Sequence, residues 1–118
     1  MTQSDFGKVL KEKRKKYHKT QEEIASSINK NKMLISGMES GKNNPPTGND
    51  LKKVMQELGL DDDEKKEFEI LAAMERNTLP DKLIKLIKND KRIIEILYMI
   101  SDKRLTNEKY KEIIEMLK

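Results

Sequence analysis

The chain has 118 residues, of which 39% are charged, and its formal net charge is +4. This length suits one domain, or a small domain with an appended segment, and excludes two large cores. The absence of cysteine excludes a disulfide framework and thiolate chemistry, which fits a reducing cytoplasm. With three prolines, five glycines and no strand-like alternation, the sequence predicts an all-helical protein.

Positive charge is concentrated in one half of the chain. Residues 1–60 hold twelve Lys and Arg against seven Asp and Glu, a balance of +5. Residues 61–118 hold thirteen against fourteen, a balance of −1. We therefore expect any surface for an anionic partner such as DNA to lie in the amino-terminal half.

A secreted protein, a membrane protein and an enzyme are each disfavoured by features that the sequence lacks. The start, MTQSDF, does not read as a signal peptide, and the most apolar run, Ile93 to Ile100, is far shorter than the about 20 residues of a membrane span. The one histidine, His18, lies in a lysine-rich turn, and there is no glycine-rich phosphate loop. We expect a soluble, cytoplasmic protein that is not an enzyme and needs no cofactor or metal.

A first helix is predicted over residues 5–17, with Ser4 or Asp5 near its N-cap. Its opposite face is rich in lysine, which indicates either a solvated surface or contacts to phosphates, with Lys16 and Lys19 the favoured contacts. The apolar residues on its common face are Phe6, Val9, Leu10 and Tyr17.

Two short helices joined by a tight turn are predicted from Thr20 to Gly41. Thr20 precedes Glu23 by three residues, the spacing of a capping box, and Asn29 and Asn31 allow the chain to turn and start a second helix. The residues expected to pack inward are Ile24, Ala25, Ile28, Ile35 and Met38. The residues expected to face outward are Lys32, Met33, Ser36 and Gly37, with Leu34 at the boundary.

This spacing is that of a helix-turn-helix, whose second helix enters the major groove of DNA. The segments TQEEIA (residues 20–25) and ISGMESGK (residues 35–42) resemble the motifs T/S-Q-E-E-[IL]-A and I-S-x-[IM]-E-x-G-K of the Xre/Cro-like, lambda repressor-like family of transcriptional regulators. The resemblance covers about residues 5–60. It implies a five-helix DNA-binding domain.

The resemblance also implies roles for single residues. An arginine late in the first helix and a glutamate late in the third form a structural ion pair in the family, and the matching residues are Arg14 and Glu39. Lys42 and Asn43 are expected along the DNA backbone, and Gln21 at the backbone or a base. The full set of expected DNA contacts is Thr20, Gln21, Asn31, Lys32, Met33, Leu34, Ser36, Lys42 and Asn43.

The predicted reading face is unusual in its chemistry. Met33 and Leu34 can make only apolar contacts, most usefully with thymine methyl groups, which suggests an operator rich in A·T pairs. Gly37 stands where the family often has a long polar side chain. Two interpretations of Gly37 remain open, a lower affinity for each half-site or a closer approach of the helix backbone to DNA.

Two further helices are predicted to complete a domain over residues 1–77. The first follows Thr47 as its cap, has Gly48 in its first turn, where fraying is expected, and ends at Gly59. The second starts in an acidic cluster, Asp61 to Glu64, and continues to Glu75. The cluster suits a metal ion or the positive end of a helix dipole, and because the spacing of a calcium loop is missing we favour the second. The core residues expected on the first of these helices are Leu51, Val54, Met55 and Leu58.

Residues 78–118 are predicted to form a small three-helix unit, with Pro80 early in its first helix and Thr106 starting its last. The segment IIEILYMI, residues 93–100, is apolar on more than one face, so it either fills a core or also pairs with another molecule. The expected dimerisation residues are Ile93, Ile94, Leu97, Tyr98 and Ile100.

Two functions are therefore open. The first is a repressor of a phage or other mobile element, which binds a palindromic operator as a dimer through its C-terminal helices. The second is an inhibitor or antitoxin that binds another protein through those helices and uses the helix-turn-helix for autoregulation.

Overall fold

The computed structural model describes residues 5–118, in which the chain forms eight helices and no strand. The all-helical prediction is thus confirmed, and the proposed Ser4 cap lies outside the described residues. The chain divides into two compact units, the first ending at Pro80 and the second starting at Asp81. The helices are α1 (Asp5–Lys16), α2 (Gln21–Ser27), α3 (Lys32–Ser40), α4 (Gly48–Leu58), α5 (Asp62–Glu75), α6 (Asp81–Asn89), α7 (Lys91–Lys103) and α8 (Asn107–Leu117).

The first unit is built around one hydrophobic core to which all five of its helices contribute. The rings of Phe6 and Phe68 meet at its centre, 4.8 Å apart between centroids and tilted by 52°, a geometry that aromatic pairs favour. The predicted inward faces are confirmed, with Val9, Tyr17, Leu34, Leu51 and Leu71 partly buried against the core. Its buried side chains include Phe6, Leu10, Ile24, Ile28, Ile35, Met38, Val54, Met55, Leu58, Leu60 and Phe68.

Helices α1 and α3 are in close backbone contact at Gly7. A Cβ atom placed on Gly7 would lie 2.5 Å from the carbonyl oxygens of both Met38 and Glu39. These are backbone atoms near the end of α3, so they cannot rotate aside as a side chain can. The lack of a side chain at Gly7 therefore sets the distance between the two helices.

Helices α1 and α5 are joined by a buried carboxylate, that of Glu64. It accepts hydrogen bonds from the Tyr17 hydroxyl at 2.5 Å and from the ammonium groups of Lys13 and Lys16, each at 2.9 Å. Glu64 also closes a capping box with Asp61 at the start of α5. These donors, with Tyr17 first, hold the pKa of the Glu64 carboxyl well below its usual range.

Two left-handed glycines bound α4. Gly59 ends the helix at φ 73°, as predicted, and Gly48 begins it at φ 53°, a conformation that side-chain-bearing residues rarely adopt. Gly48 thus has a backbone role at this helix start. Thr47 occupies the N-cap position as predicted, but its side chain makes no capping hydrogen bond. At the far end of the unit, the Arg76 guanidinium donates twice to the Pro45 carbonyl, at 3.0 and 2.9 Å.

The second unit contains the three predicted C-terminal helices. Helix α6 packs on α7. Pro80 lies directly before α6, and Thr106 caps α8 by accepting the N–H of Lys109 at 3.2 Å. No residue of α6, α7 or α8 is buried, so this unit has a far smaller core than the first.

Replacing Gly7 by alanine should destabilise the protein. In an open helix this change would stabilise by about 1 kcal/mol, but here the added methyl group collides with the α3 backbone, so we expect a net loss of about 1–3 kcal/mol. Urea unfolding followed by circular dichroism measures it. Lys8→Ala, at an exposed neighbouring position of α1, serves as control, and equal stability of the two variants would contradict the proposed close contact.

Stability should depend on the ionisation of Glu64. Because its pKa is lower in the folded than in the unfolded chain, the stabilisation is fully present above the ordinary value of about 4.3 and is lost as the pH falls below it. We expect Glu64→Gln to be less stable than wild type near neutral pH, with the difference shrinking in acid. Denaturant unfolding over a pH series measures this, with the exposed Glu67→Gln on the same helix as control. A difference independent of pH would rule it out.

Candidate nucleic-acid interface

The start of α2 is fixed by the predicted capping box. The Glu23 N–H donates to the Thr20 hydroxyl oxygen at 3.0 Å, and the Thr20 N–H donates to the Glu23 carboxylate at 3.1 Å. Hydrogen bonding from Thr20, first from its backbone N–H and then from its side chain, lowers the pKa of the Glu23 carboxyl. The free N–H groups of the first turn and the side chain of Gln21 are thereby placed at a helix start, a position that suits a phosphate.

The turn between α2 and α3 follows the predicted design. Asn29 adopts the left-handed conformation, with φ 56°. The Asn31 side chain then caps α3 by accepting the N–H groups of Met33 at 3.0 Å and Leu34 at 3.3 Å. Gly41 ends the helix at φ 83°. Helix α3 is thus defined at both ends by local hydrogen bonds.

Helix α3 has one buried and one exposed face. Ile35 and Met38 are in the core, whereas Lys32 and Ser36 are exposed and the Met33 side chain is 75% exposed. Leu34, which the sequence places at the boundary, is half-buried and packs against the core. The apolar part of the exposed face is therefore mainly Met33.

A network centred on Glu39 joins the first three helices. Arg14 Nε and Nη2 donate to the two carboxylate oxygens of Glu39 at 2.7 and 3.1 Å, and Arg14 Nη1 donates to the Lys19 carbonyl at 3.1 Å. The Gln21 amide nitrogen donates to Glu39 Oε1 at 3.1 Å. The Glu39 side chain is only 6% exposed. Glu39 therefore binds both Arg14, its partner in the structural ion pair, and Gln21 at the start of α2.

A basic cleft of about 660 Å³ lies between the end of α1 and the starts of α2 and α3. Lys19 pairs with Glu57 at 3.0 Å, and Lys16, which does not line the cleft, pairs with Glu64. Both lysines that the sequence favours as phosphate contacts therefore already have a carboxylate partner. These carboxylates raise the pKa of each lysine. The cleft lining comprises Lys11, Arg14, Lys15, His18, Lys19, Thr20, Gln21, Glu22, Lys32 and Glu39.

Three other lysines of the cleft are less engaged by carboxylates. Lys11 and Lys15 are exposed on α1 and form no ion pair within residues 5–118. Lys32 approaches Glu22 only at 3.9 Å, with both side chains largely exposed, and such pairs contribute little. The cleft thus presents three cations beside the start of α2.

The loop after α3 returns to that helix. The backbone N–H groups of Lys42 and Asn43 both donate to the Gly37 carbonyl, at 2.8 and 3.0 Å. The Asn43 side-chain amide donates to the Leu34 carbonyl at 3.3 Å. The Lys42 side chain is exposed. Both residues that the sequence places along DNA therefore lie next to the exposed face of α3.

The expected dimerisation residues all lie on α7. Ile93 and Ile100 are half-buried, whereas Ile94, Leu97 and Tyr98 are exposed, Tyr98 by 67%. Neighbouring exposed apolar side chains on the same helix are Ile96 and Met99. Helix α7 thus carries apolar surface on more than one side, as the sequence indicates.

The acidic cluster has structural partners. Asp61 caps α5, and Glu64 binds α1, so two of the four acidic residues are engaged in the fold. Within the described part of the chain, no three His, Cys, Asp or Glu residues are placed to hold a metal ion. Nor does any helix between residues 5 and 118 have the length and apolarity to cross a membrane.

Five helices, an exposed second helix of the turn motif and a basic cleft define a helix-turn-helix DNA-binding domain. A family model described as Helix-turn-helix matches residues 10–65. These residues belong to the Xre/Cro, lambda repressor-like helix-turn-helix family, and the protein is a DNA-binding transcriptional regulator. Searches of curated proteins and of solved structures gave no match.

Three contacts of the first unit were not anticipated from the sequence, those of Glu64 with Tyr17, Gln21 with Glu39, and Asn43 with Leu34. Glu64 looked equivalent to its acidic neighbours, although its three-residue spacing from Asp61 is a capping-box signal. The bond from Gln21 to Glu39 and the bond from Asn43 to Leu34 join different elements, and no local spacing indicates them. Gly37, which leaves space for the Asn43 side chain, was the one sequence feature that could have indicated the bond from Asn43 to Leu34.

Glu39→Ala should strongly destabilise the protein. The change leaves the mostly buried Arg14 without its carboxylate, and breaking a buried pair in this way costs about 3–5 kcal/mol. Urea unfolding measures the loss. The control is Glu22→Ala on α2, an exposed carboxylate with only a distant partner, for which we expect a change below about 0.5 kcal/mol. Similar values for both variants would show that the buried pair is not stabilising.

Proposed function

We propose that the protein is a repressor, of a phage or other mobile element, that binds a palindromic operator as a dimer. The observation that carries the dimer is the second unit, in which α6, α7 and α8 bury no residue while many of their apolar side chains are exposed. Exposed apolar side chains in such number are typical of an interaction site, and in this proposal a second copy of the chain covers them with twofold symmetry.

Dimerisation would compensate for the few base contacts that the exposed face of a single α3 can make. Its exposed side chains are Lys32, Met33 and Ser36, followed by Gly37, so few hydrogen bonds to base edges are available in one half-site. Two linked copies multiply this modest discrimination, because the second half-site is bound at high effective concentration. The half-sites are expected about 34 Å apart, or at a multiple of that distance.

The proposed operator is rich in A·T pairs. Met33 is the most exposed apolar side chain of α3, and a thymine methyl group is the apolar feature of the major groove. Around it, Lys11, Lys15, Lys32 and Lys42 are proposed to contact phosphates, together with the start of α2 at Thr20 and Gln21. A G·C-rich selected consensus would contradict this part of the proposal.

Leu97→Glu tests the dimer in the full chain. A charge on the exposed surface of α7 should prevent pairing, so we expect a monomer and an operator affinity lower by roughly 100-fold. Light scattering gives the mass. Titration of the DNA upstream of the protein's own gene over a salt series gives the affinity, with scrambled DNA as control.

Lys103→Gln provides the matched control, since it lowers the net charge by the same one unit at an exposed position of α7 that lies about 120° round the helix from Leu97. It should leave mass and affinity unchanged. Equal binding of wild type to both DNAs would refute a sequence-specific repressor. A monomeric wild type would instead favour the alternative of an inhibitor or antitoxin whose C-terminal helices bind another protein.

A further inference from the structure

Gly37 leaves a gap in the reading face that another residue fills. It lies one turn beyond Met33, at i+4, and so on the same face of α3. A Cβ atom placed on Gly37 would overlap the side-chain amide nitrogen of Asn43. The space that a side chain at position 37 would take is therefore occupied by an amide group supplied from the following loop.

Two hydrogen bonds hold Asn43 in this place. Its backbone N–H donates to the Gly37 carbonyl at 3.0 Å, and its Nδ2 donates to the Leu34 carbonyl at 3.3 Å. Because the Leu34 carbonyl can only accept a hydrogen bond, the Nδ2 atom of the Asn43 amide faces the helix. The Oδ1 atom and the second amide hydrogen make no other hydrogen bond within residues 5–118.

The Asn43 amide lies beside the apolar part of the reading face. A shallow cleft of about 500 Å³ is lined by Lys30, Asn31, Met33, Leu34 and Asn43. An amide can accept from N6 and donate to N7 of adenine, and the thymine paired with adenine presents its methyl group in the same groove. An amide next to a methionine thus matches both halves of an A·T pair.

We propose that Asn43 is a specificity-determining residue that reads an adenine in the major groove in place of the side chain missing at Gly37. This inference rests on the proposed binding of a specific operator. It differs from the expectation that Asn43 only follows the DNA backbone. It also explains Gly37 differently from both interpretations drawn from the sequence, because the glycine leaves space for the Asn43 amide.

The test is selection from a randomised duplex library with wild type, Asn43→Ala and Asn44→Ala, the last being the same substitution at the adjacent exposed position. Wild type should select adenine at one position of each half-site. Asn43→Ala should lose that preference by roughly 5- to 150-fold, the range for one bidentate contact. Its other preferences and its salt dependence should not change. Asn44→Ala should select the wild-type consensus.

Gly37→Ala provides a second route to the same result. It keeps Asn43 but places a methyl group where the amide lies, so the adenine preference should fall as in Asn43→Ala. Circular dichroism confirms that each variant is folded. If Gly37→Ala is folded and keeps the full preference, the proposed role of the gap is wrong.

The remaining outcomes are separable. An unchanged consensus for Asn43→Ala overturns the inference while leaving the operator proposal intact. If that unchanged consensus comes with a uniform loss of affinity for all sequences, Asn43 is a contact to the DNA backbone, which also overturns the inference. If wild type itself selects no consensus, the proposed function fails, and the inference fails with it.

Discussion

Three helices of the DNA-binding domain meet at one carboxylate, that of Glu39. Arg14 reaches it from α1 and Gln21 from the start of α2, while Glu39 itself lies near the end of α3. A carboxylate that is 6% exposed needs such donors to offset its lost hydration. The same interaction therefore stabilises the domain and orients the amide at the proposed phosphate-binding helix start. Stability and the shape of the DNA-facing surface cannot be changed independently at this point.

The parts of this structure that the sequence predicted are those with local causes. The capping pair of Thr20 and Glu23, the Asn31 cap and the glycine stop at Gly41 each depend on residues within about one turn, so their spacing is visible in the chain. The apolar faces of the helices are equally local. By contrast, the hydrogen bond from Tyr17 to Glu64 joins residues 47 positions apart. Only the packing of α1 on α5 brings them together.

The positive charge was likewise predictable only in part from the sequence. The excess of lysine in residues 1–60 was readable, but its availability was not, because Lys16 and Lys19 form ion pairs with Glu64 and Glu57. Only the fold reveals that, within residues 5–118, Lys11, Lys15 and Lys32 are the lysines of the cleft without a close carboxylate partner. In the second unit, periodicity predicted the helices correctly, yet it could not show that none of their residues is buried.

The close contact at Gly7 has a consequence for the DNA. Helix α1 holds residues 38 and 39 at two points, through the backbone at Gly7 and through the guanidinium of Arg14 two turns later. Because α3 is anchored there and capped at Asn31, we expect it to have little freedom to tilt or slide on α1. When the fit to a site is imperfect, the duplex has to bend or twist instead. For the operator proposed above, the stiffness of the base-pair steps, including those that no side chain touches, is then expected to contribute to the choice of site.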